Sequence, residues 1–187
     1  MSDKPVWILG LSCFYHDSAA ALLRDGVLVA AASEERFTRI KADAGFPNHA
    51  IQFVLGAGGI TMDDVDHLGF YDKPMLKLER LLLSHLQSFP RSKEQFLRAM
   101  PVWMKEKLSV RRTVGKQLGW TRKPVLFAEH HVSHGASSFF ASPFEEAAIL
   151  TVDGVGEWAT CTQGVGRGNS MELFGEIRFP HSLGLLY

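Results

Sequence analysis

The sequence has 187 residues, 46% of them hydrophobic, with 20 basic and 20 acidic side chains and a formal net charge of zero. That length and composition describe one globular domain with a sizeable core and exclude a disordered chain, while the balanced charge gives no reason to expect a nucleic-acid or membrane partner. Cys13 and Cys161 are the only cysteines and form no C-x-x-C pair, a pattern of reduced thiols in a cytoplasmic protein, although a single bridge between them stays open.

The chain opens on an apolar run that is too short to span a bilayer and lacks a signal-peptide cleavage pattern, so the expected location is cytoplasmic. This run, Val6 to Ser12, reads as a strand. A second strand, Ser18 to Leu23, follows a polar break at Phe14-Tyr15-His16-Asp17, and a third, Val27 to Ala32, follows the hairpin turn Asp25-Gly26. Pro47 and the pair Gly58-Gly59 bracket a helix from about Asn48 to Ala57, and Val65 to Tyr71 returns as a strand. Residues 74–118 carry helical spacing broken at Ser88-Phe89-Pro90 and at Pro101, a helical insertion. From Arg91 to Lys123 there are ten basic residues (Arg91, Lys93, Arg98, Lys105, Lys107, Arg111, Arg112, Lys116, Arg122, Lys123) against Glu94 and Glu106. Such a run is either a solvated face or a groove that attracts anions such as phosphates.

Pro124 to Ala128 reads as a short strand, His130 to Ser142 as a helix bounded by Pro143, and Ala147 to Val152 as a strand. Two further strands, Trp158 to Val165 and Met171 to Phe179, complete a second meander, and Phe179 to Tyr187 reads as a loop that begins an apolar helix and then stops abruptly. No internal repeat is legible from residue identity.

Several of these residues can do chemistry. On a helix, His130 and His134 lie four apart on one face and can converge on one metal ion, while His131 points about 100° away. A carboxylate is the natural third ligand for ferrous, zinc or manganese ions, but histidines at this spacing often only cap or pack. Asp153 ends an apolar strand at a turn where Gly154 and Gly156 flank Val155. That turn is either a plain hairpin or a place where a carboxylate is displayed and the backbone can approach a ligand. His16, beside Asp17 and followed by Ser18-Ala19-Ala20-Ala21, can act as a general base for a hydroxyl or simply bond Asp17. In Glu34-Glu35-Arg36-Phe37-Thr38-Arg39-Ile40-Lys41, the cations Arg36, Arg39 and Lys41 would suit a phosphate or an oxyanion, against a default of solvated ion pairs.

Five segments in order resemble the O-carbamoyltransferases of nodulation-factor and antibiotic biosynthesis. They are Leu9-Gly10-Leu11-Ser12 with His16-Asp17-Ser18-Ala19-Ala20-Ala21-Leu22; Glu34-Glu35-Arg36-Phe37-Thr38-Arg39; His130-His131-Val132-Ser133-His134-Gly135-Ala136-Ser137; Asp153-Gly154-Val155-Gly156-Glu157-Trp158; and Phe179-Pro180-His181-Ser182-Leu183-Gly184. The resemblance implies an α/β protein of the actin-like (sugar kinase-like, ribonuclease H-like) fold, of which residues 1–187 form the N-terminal part of the transfer domain, with the helical insertion at about 74–118. It also implies that ATP and carbamoyl phosphate yield a carbamoyl adenylate in a separate C-terminal domain, and that the transfer domain passes the carbamoyl group to a hydroxyl of a small-molecule acceptor.

Carried over residue by residue, the resemblance makes His130 and His134 ligands of a divalent metal, Fe2+ with Zn2+ or Mn2+ as alternatives, and makes Asp153 a carboxylate at the metal and nucleotide site, with Gly154 and Gly156 beside it. It makes His16 the residue that activates the acceptor and Lys41 a cation near the carbamoyl group. The family often has Arg-Lys-Lys where this chain has Arg39-Ile40-Lys41, so the role of Lys41 depends on which lysine matters. A further aspartate ligand belongs to the second half of the fold, so the fragment is expected to bind metal weakly and not to catalyse transfer. The rival readings are a threonylcarbamoyl transferase acting on tRNA, which shares the fold and the histidine pair, and a non-catalytic metal- or nucleotide-binding module.

Overall fold

The computed structural model describes residues 4–102, 110–120 and 123–186. In chain order the elements are β1 (Trp7–Ser12), β2 (Ala19–Arg24), β3 (Val27–Ser33), α1 (Glu35–Thr38), α2 (Asn48–Gly58), a 3-10 turn (Met62–Asp64), β4 (His67–Phe70), α3 (Pro74–Ser88), α4 (Lys93–Val102), α5 (Val110–Leu118), β5 (Val125–Phe127), α6 (His130–Phe139), β6 (Glu146–Val152), β7 (Ala159–Arg167) and β8 (Ser170–Arg178). They group into two compact units, Met1–Tyr71 with Ser109–Phe127, and Asp72–Leu108 with Ala128–Tyr187. No helix of the described residues is long and apolar enough to cross a membrane.

The first unit is built on a five-stranded sheet of order β3-β2-β1-β4-β5. β1 pairs antiparallel with β2 and parallel with β4, and β2 pairs antiparallel with β3 while β4 runs parallel to β5, so β2 alone opposes the others. That order and direction are those of the actin-like, ribonuclease H-like α/β fold. The β2–β3 turn has Asp25 at φ 52° and Gly26 at φ 83°, the two positive φ values of a tight hairpin turn whose twist matches the strands it joins. Trp7, Leu9 and Leu11 alternate inward on β1 and join Ala20, Leu22, Leu68 and Phe70 in the core. α2 contributes Ala50, Ile51 and Val54, and α5 contributes Val110 and Val114. Gly58 lets the end of α2 close on the sheet, since a Cβ there would lie 2.6 Å from Cδ2 of Leu22.

The second unit has an antiparallel sheet of order β6-β7-β8, with α6 packed on it, and also carries α3 and α4. α4 runs through Pro101 to Val102, where the sequence alone suggests a break. α6 stops at Phe139, short of the expected Ser142, and residues 184–186 form a turn with no helix begun. Of the helices expected between 74 and 118, α3 and α4 group with the second unit and α5 with the first. In the basic run, Lys105, Lys107 and Arg122 lie outside the described residues, and the other seven cations are exposed. Each unit contains three consecutive antiparallel strands, β1-β2-β3 in the first and β6-β7-β8 in the second.

Candidate metal centre

α6 brings two histidines to one place. Its entry residue Glu129 is extended (φ −68°, ψ 144°), so the helix starts at His130 and places His134 one turn further along the same face. Asp153 reaches them from the end of β6, where the turn is closed by its own N–H donating to the Thr160 carbonyl at 2.9 Å. His130 Nε2 lies 2.9 Å from Asp153 Oδ2 and 3.1 Å from His134 Nε2. One ligating atom from each of His130, His134 and Asp153 falls within 4.8 Å of the others.

The electrostatics suit a cation. The hydrogen bond with His130, supported by the His130 charge and the Gly154 N–H, holds the Asp153 carboxyl down at about 2 against the opposing effect of burial. Burial first, and the neighbouring His130 second, lower the His134 pKa, so its imidazole is neutral near pH 7. An ionised carboxylate and a neutral imidazole are the forms that bind metal. Two imidazole nitrogens and a carboxylate oxygen also form a donor set that fits a divalent first-row ion with positions left for water or substrate. His134 is exposed while His130 and Asp153 are half-buried, so the trio opens to solvent on the His134 side.

Close packing holds this arrangement. His131, between the two ligands in sequence, is buried, and its Nδ1 meets Thr151 Oγ1 at 2.5 Å, which in turn meets Thr162 Oγ1 at 2.6 Å. Burial lowers the pKa of His131, so the ring packs as a neutral group. A Cβ on Gly166 would stand 2.5 Å from the Phe139 ring, so β7 and the end of α6 are in direct backbone-to-ring contact. The Asp153 turn is braced from behind, where Ser182 Oγ donates to the Gly154 carbonyl at 2.7 Å and Thr160 Oγ1 donates to the His181 carbonyl at 2.7 Å. Gly184 lies against the Asp153 backbone closely enough to leave no room for a side chain. Three of the five sequence motifs therefore meet at one site, although sequence spacing gives no hint that the last supports the fourth.

His16 and Lys41 belong to the first unit. Both are exposed, on loops that are stitched together by Phe14 N–H donating to Ala44 O at 2.9 Å and Ser18 N–H donating to Asp43 O at 2.8 Å. His16 Nδ1 lies 2.7 Å from Asp17 Oδ2, with Asp17 at φ 50°. Arg39 and Ala42, at φ 61° and 53°, fold the segment that carries Lys41. Asp43 pins this segment by accepting from Thr38 Oγ1 and from the Gly45 N–H, both at 2.8 Å.

Besides Asp72, two buried carboxylates, Glu34 and Glu157, stand inside the sequence motifs without a role assigned to them there. Glu34, 3% exposed, leaves the charged surface run and turns inward, accepting from the N–H groups of His49 and Ala50 at the start of α2 and from His49 Nδ1 at 2.7 Å. Glu157, 6% exposed, accepts from the N–H of Lys73 at 2.5 Å. The available signal for each was its place: a glutamate directly after a strand, and a glutamate closing a glycine-rich turn. A cavity of about 530 Å³ borders α6 on the side of His131, Glu157 and Trp158, and the metal trio does not line it.

The fold is thus an actin-like α/β one, and His130, His134 and Asp153 are gathered as candidate ligands on a helix and a strand end. Residues 7–187 match the family described as carbamoyltransferase N-terminus, and the chain belongs to that family. It is 52% identical to the uncharacterized protein sll1178 of Synechocystis, over 96% of this chain and 30% of that one. It is 35% identical to nodulation protein NolNO of Sinorhizobium fredii, over 93% of this chain and 25% of that one. The chain thus spans less than a third of the length of these curated relatives. Among solved structures it is similar to YeaZ from Pseudomonas aeruginosa, with TM-score 0.48 and 14% identity over 96% of this chain and 73% of that one.

Proposed function

We propose that the protein containing this chain is an ATP-dependent O-carbamoyltransferase, for which these residues supply the metal-ligating helix, the Asp153 turn and the acceptor-activating loop. The observation that carries the reading is the convergence of His130, His134 and Asp153 within 4.8 Å, in a chain of the carbamoyltransferase family. ATP, water and carbamoyl phosphate give carbamoyl adenylate, pyrophosphate and phosphate in the remainder of the protein, which also completes the metal site with a further aspartate. A hydroxyl of a small-molecule acceptor then attacks the carbamoyl carbon. The new bond joins the acceptor oxygen to that carbon, the bond to the adenylate phosphate breaks, and AMP leaves.

In this reading His16 takes the hydroxyl proton at Nε2. Its Nδ1 faces Asp17, which favours the tautomer with Nε2 free to accept and stabilises the imidazolium that forms. Lys41 offers a positive charge to the carbamoyl oxygen as negative charge develops there. The backbone at Gly154 and Gly156 lets a nucleotide approach beside Asp153. His130, His134 and Asp153 would hold a divalent ion, Fe2+ first and Zn2+ or Mn2+ otherwise, which would supply Lewis-acid charge where they converge.

The test uses the full-length protein. It is expected to carry a divalent ion and, with ATP and carbamoyl phosphate, to carbamoylate hydroxylated small molecules. His130→Ala and His134→Ala should each lose bound metal. Full metal content in both variants would remove the proposed site, and modification of adenosine in tRNA without activity on small acceptors would replace the proposed reaction.

A further inference from the structure

We infer that Ser18 is a positioning residue for the proposed carbamoyl transfer: it bonds both ends of the segment that carries Lys41 and thereby fixes that segment against the loop that carries His16. The inference rests on the roles proposed above for His16 and Lys41 and concerns a residue given no part in that chemistry.

Ser18 follows the exposed run Tyr15-His16-Asp17, yet it is fully buried. A buried serine needs partners for its polar groups, and here all three lead to one stretch of chain. Its carbonyl accepts the Glu34 N–H at 2.7 Å, its N–H donates to the Asp43 carbonyl at 2.8 Å, and its hydroxyl donates to the Gly45 carbonyl at 2.6 Å. Glu34 is where the chain leaves β3, and Asp43 to Gly45 is where it approaches α2, so the 34–45 segment begins and ends on a single residue. At the other foot of the His16 loop, the Phe14 N–H donates to the Ala44 carbonyl at 2.9 Å. Phe14 and Asp17 have left-handed φ values of 71° and 50°, so the chain turns sharply between the two feet, with His16 exposed between them.

Both ends that Ser18 holds are themselves anchored. The Glu34 side chain accepts the N–H groups of His49 and Ala50 at 3.1 and 2.8 Å, and the Asp43 side chain accepts Thr38 Oγ1 and the Gly45 N–H, both at 2.8 Å. Lys41 therefore rides on a loop whose closure runs through Ser18. Of the three bonds made by Ser18, that of the hydroxyl alone depends on the side chain. Ser18→Ala keeps the two backbone bonds and takes this donor from the Gly45 carbonyl. A general base and a cation act together when both are held against one substrate, and a small displacement of either costs a large factor in rate.

The experiment uses the full-length protein with ATP, carbamoyl phosphate and, as hydroxyl acceptors, glycerol and glucose. Ser18→Ala is measured alone and in a Lys41→Ala background, and amide hydrogen exchange is followed in the same proteins. Ser18→Ala should lower kcat about tenfold with the KM for ATP unchanged, but less than about twofold once Lys41 is already gone, because the hydroxyl then has no cation left to place. The amides of Phe14 and of residue 18 should exchange about tenfold faster, while those of β1 keep their protection. Ser18→Cys, which retains a weaker donor, takes the same place in the cycle should Ser18→Ala lose the protection of β1. An equal loss of kcat in both backgrounds, no loss in either, or unchanged exchange at both amides overturns the positioning role. If wild type carbamoylates neither acceptor while Ser18→Ala still speeds those amides, the activity reading fails and the hold of Ser18 on the two segments stands.

Discussion

At the scale of single residues, proton placement is the deciding property. His16 and Asp17 are neighbours in sequence that would normally point apart, and the left-handed φ of 50° at Asp17 lets its carboxylate fold back onto the imidazole. General-base catalysis of this kind contributes about 10²–10⁴-fold. His16→Ala should accordingly lower carbamoyl transfer by about 10²-fold or more in the full-length protein while leaving metal content unchanged. A parallel loss of metal would show that His16 serves the fold instead. The gathering of His130, His134 and Asp153 was legible in the sequence because few residue types can serve as metal ligands. The roles of Glu34 and Glu157 were not, because an acidic residue in a polar stretch is ordinarily solvated, and only the tertiary fold shows that these two turn inward to meet helix N-termini.

At the scale of elements, the site depends on how α6 is seated. Gly166 allows the Phe139 ring to lie directly on β7, and an aromatic ring packed at a helix end cannot yield as a flexible side chain would. Gly166→Ala should destabilise the protein by about 1–3 kcal/mol through overpacking, read as a lowered midpoint in urea. A midpoint unchanged from wild type would mean that α6 is held elsewhere. Gly184→Ala acts differently, since its Cβ would press on the Asp153 backbone. It should weaken metal binding more than it lowers the urea midpoint, a separation that equilibrium dialysis alongside denaturation would detect. Strand alternation, the Asp25-Gly26 turn and Pro47 made most elements readable to within a few residues. Pro101 falls in the last described turn of α4, and short α1 went unread because four residues carry no period.

At the scale of the whole molecule, the first unit depends on ionised carboxylates. Asp43, Asp64 and Asp66 all have lowered pKa values, in each case chiefly because the carboxylate accepts a backbone N–H, from Gly45, Thr61 and Trp7 respectively. A depressed folded-state pKa means stability that is present above the unfolded value and is lost as pH falls through the folded one. Hydrogen exchange in the first unit should therefore accelerate below about pH 4. Asp43→Asn should remove the acid response of residues 38–45 while leaving that of the Asp64 and Asp66 region intact. An acid response in residues 38–45 unchanged by that substitution would show that Asp43 is not what holds the segment.

The turn from Asp153 to Glu157 also has the properties of a measuring device. Its carboxylate at one end faces the ring of His130 and its carboxylate at the other accepts the N–H of Lys73. The fixed length between them converts a property of the chain, the number of intervening residues, into a property of the site, the offset between ligand and helix. One residue inserted between 153 and 157 would leave every ligand present and every strand paired, yet it would change the offset between Asp153 and the N-terminal end of α3.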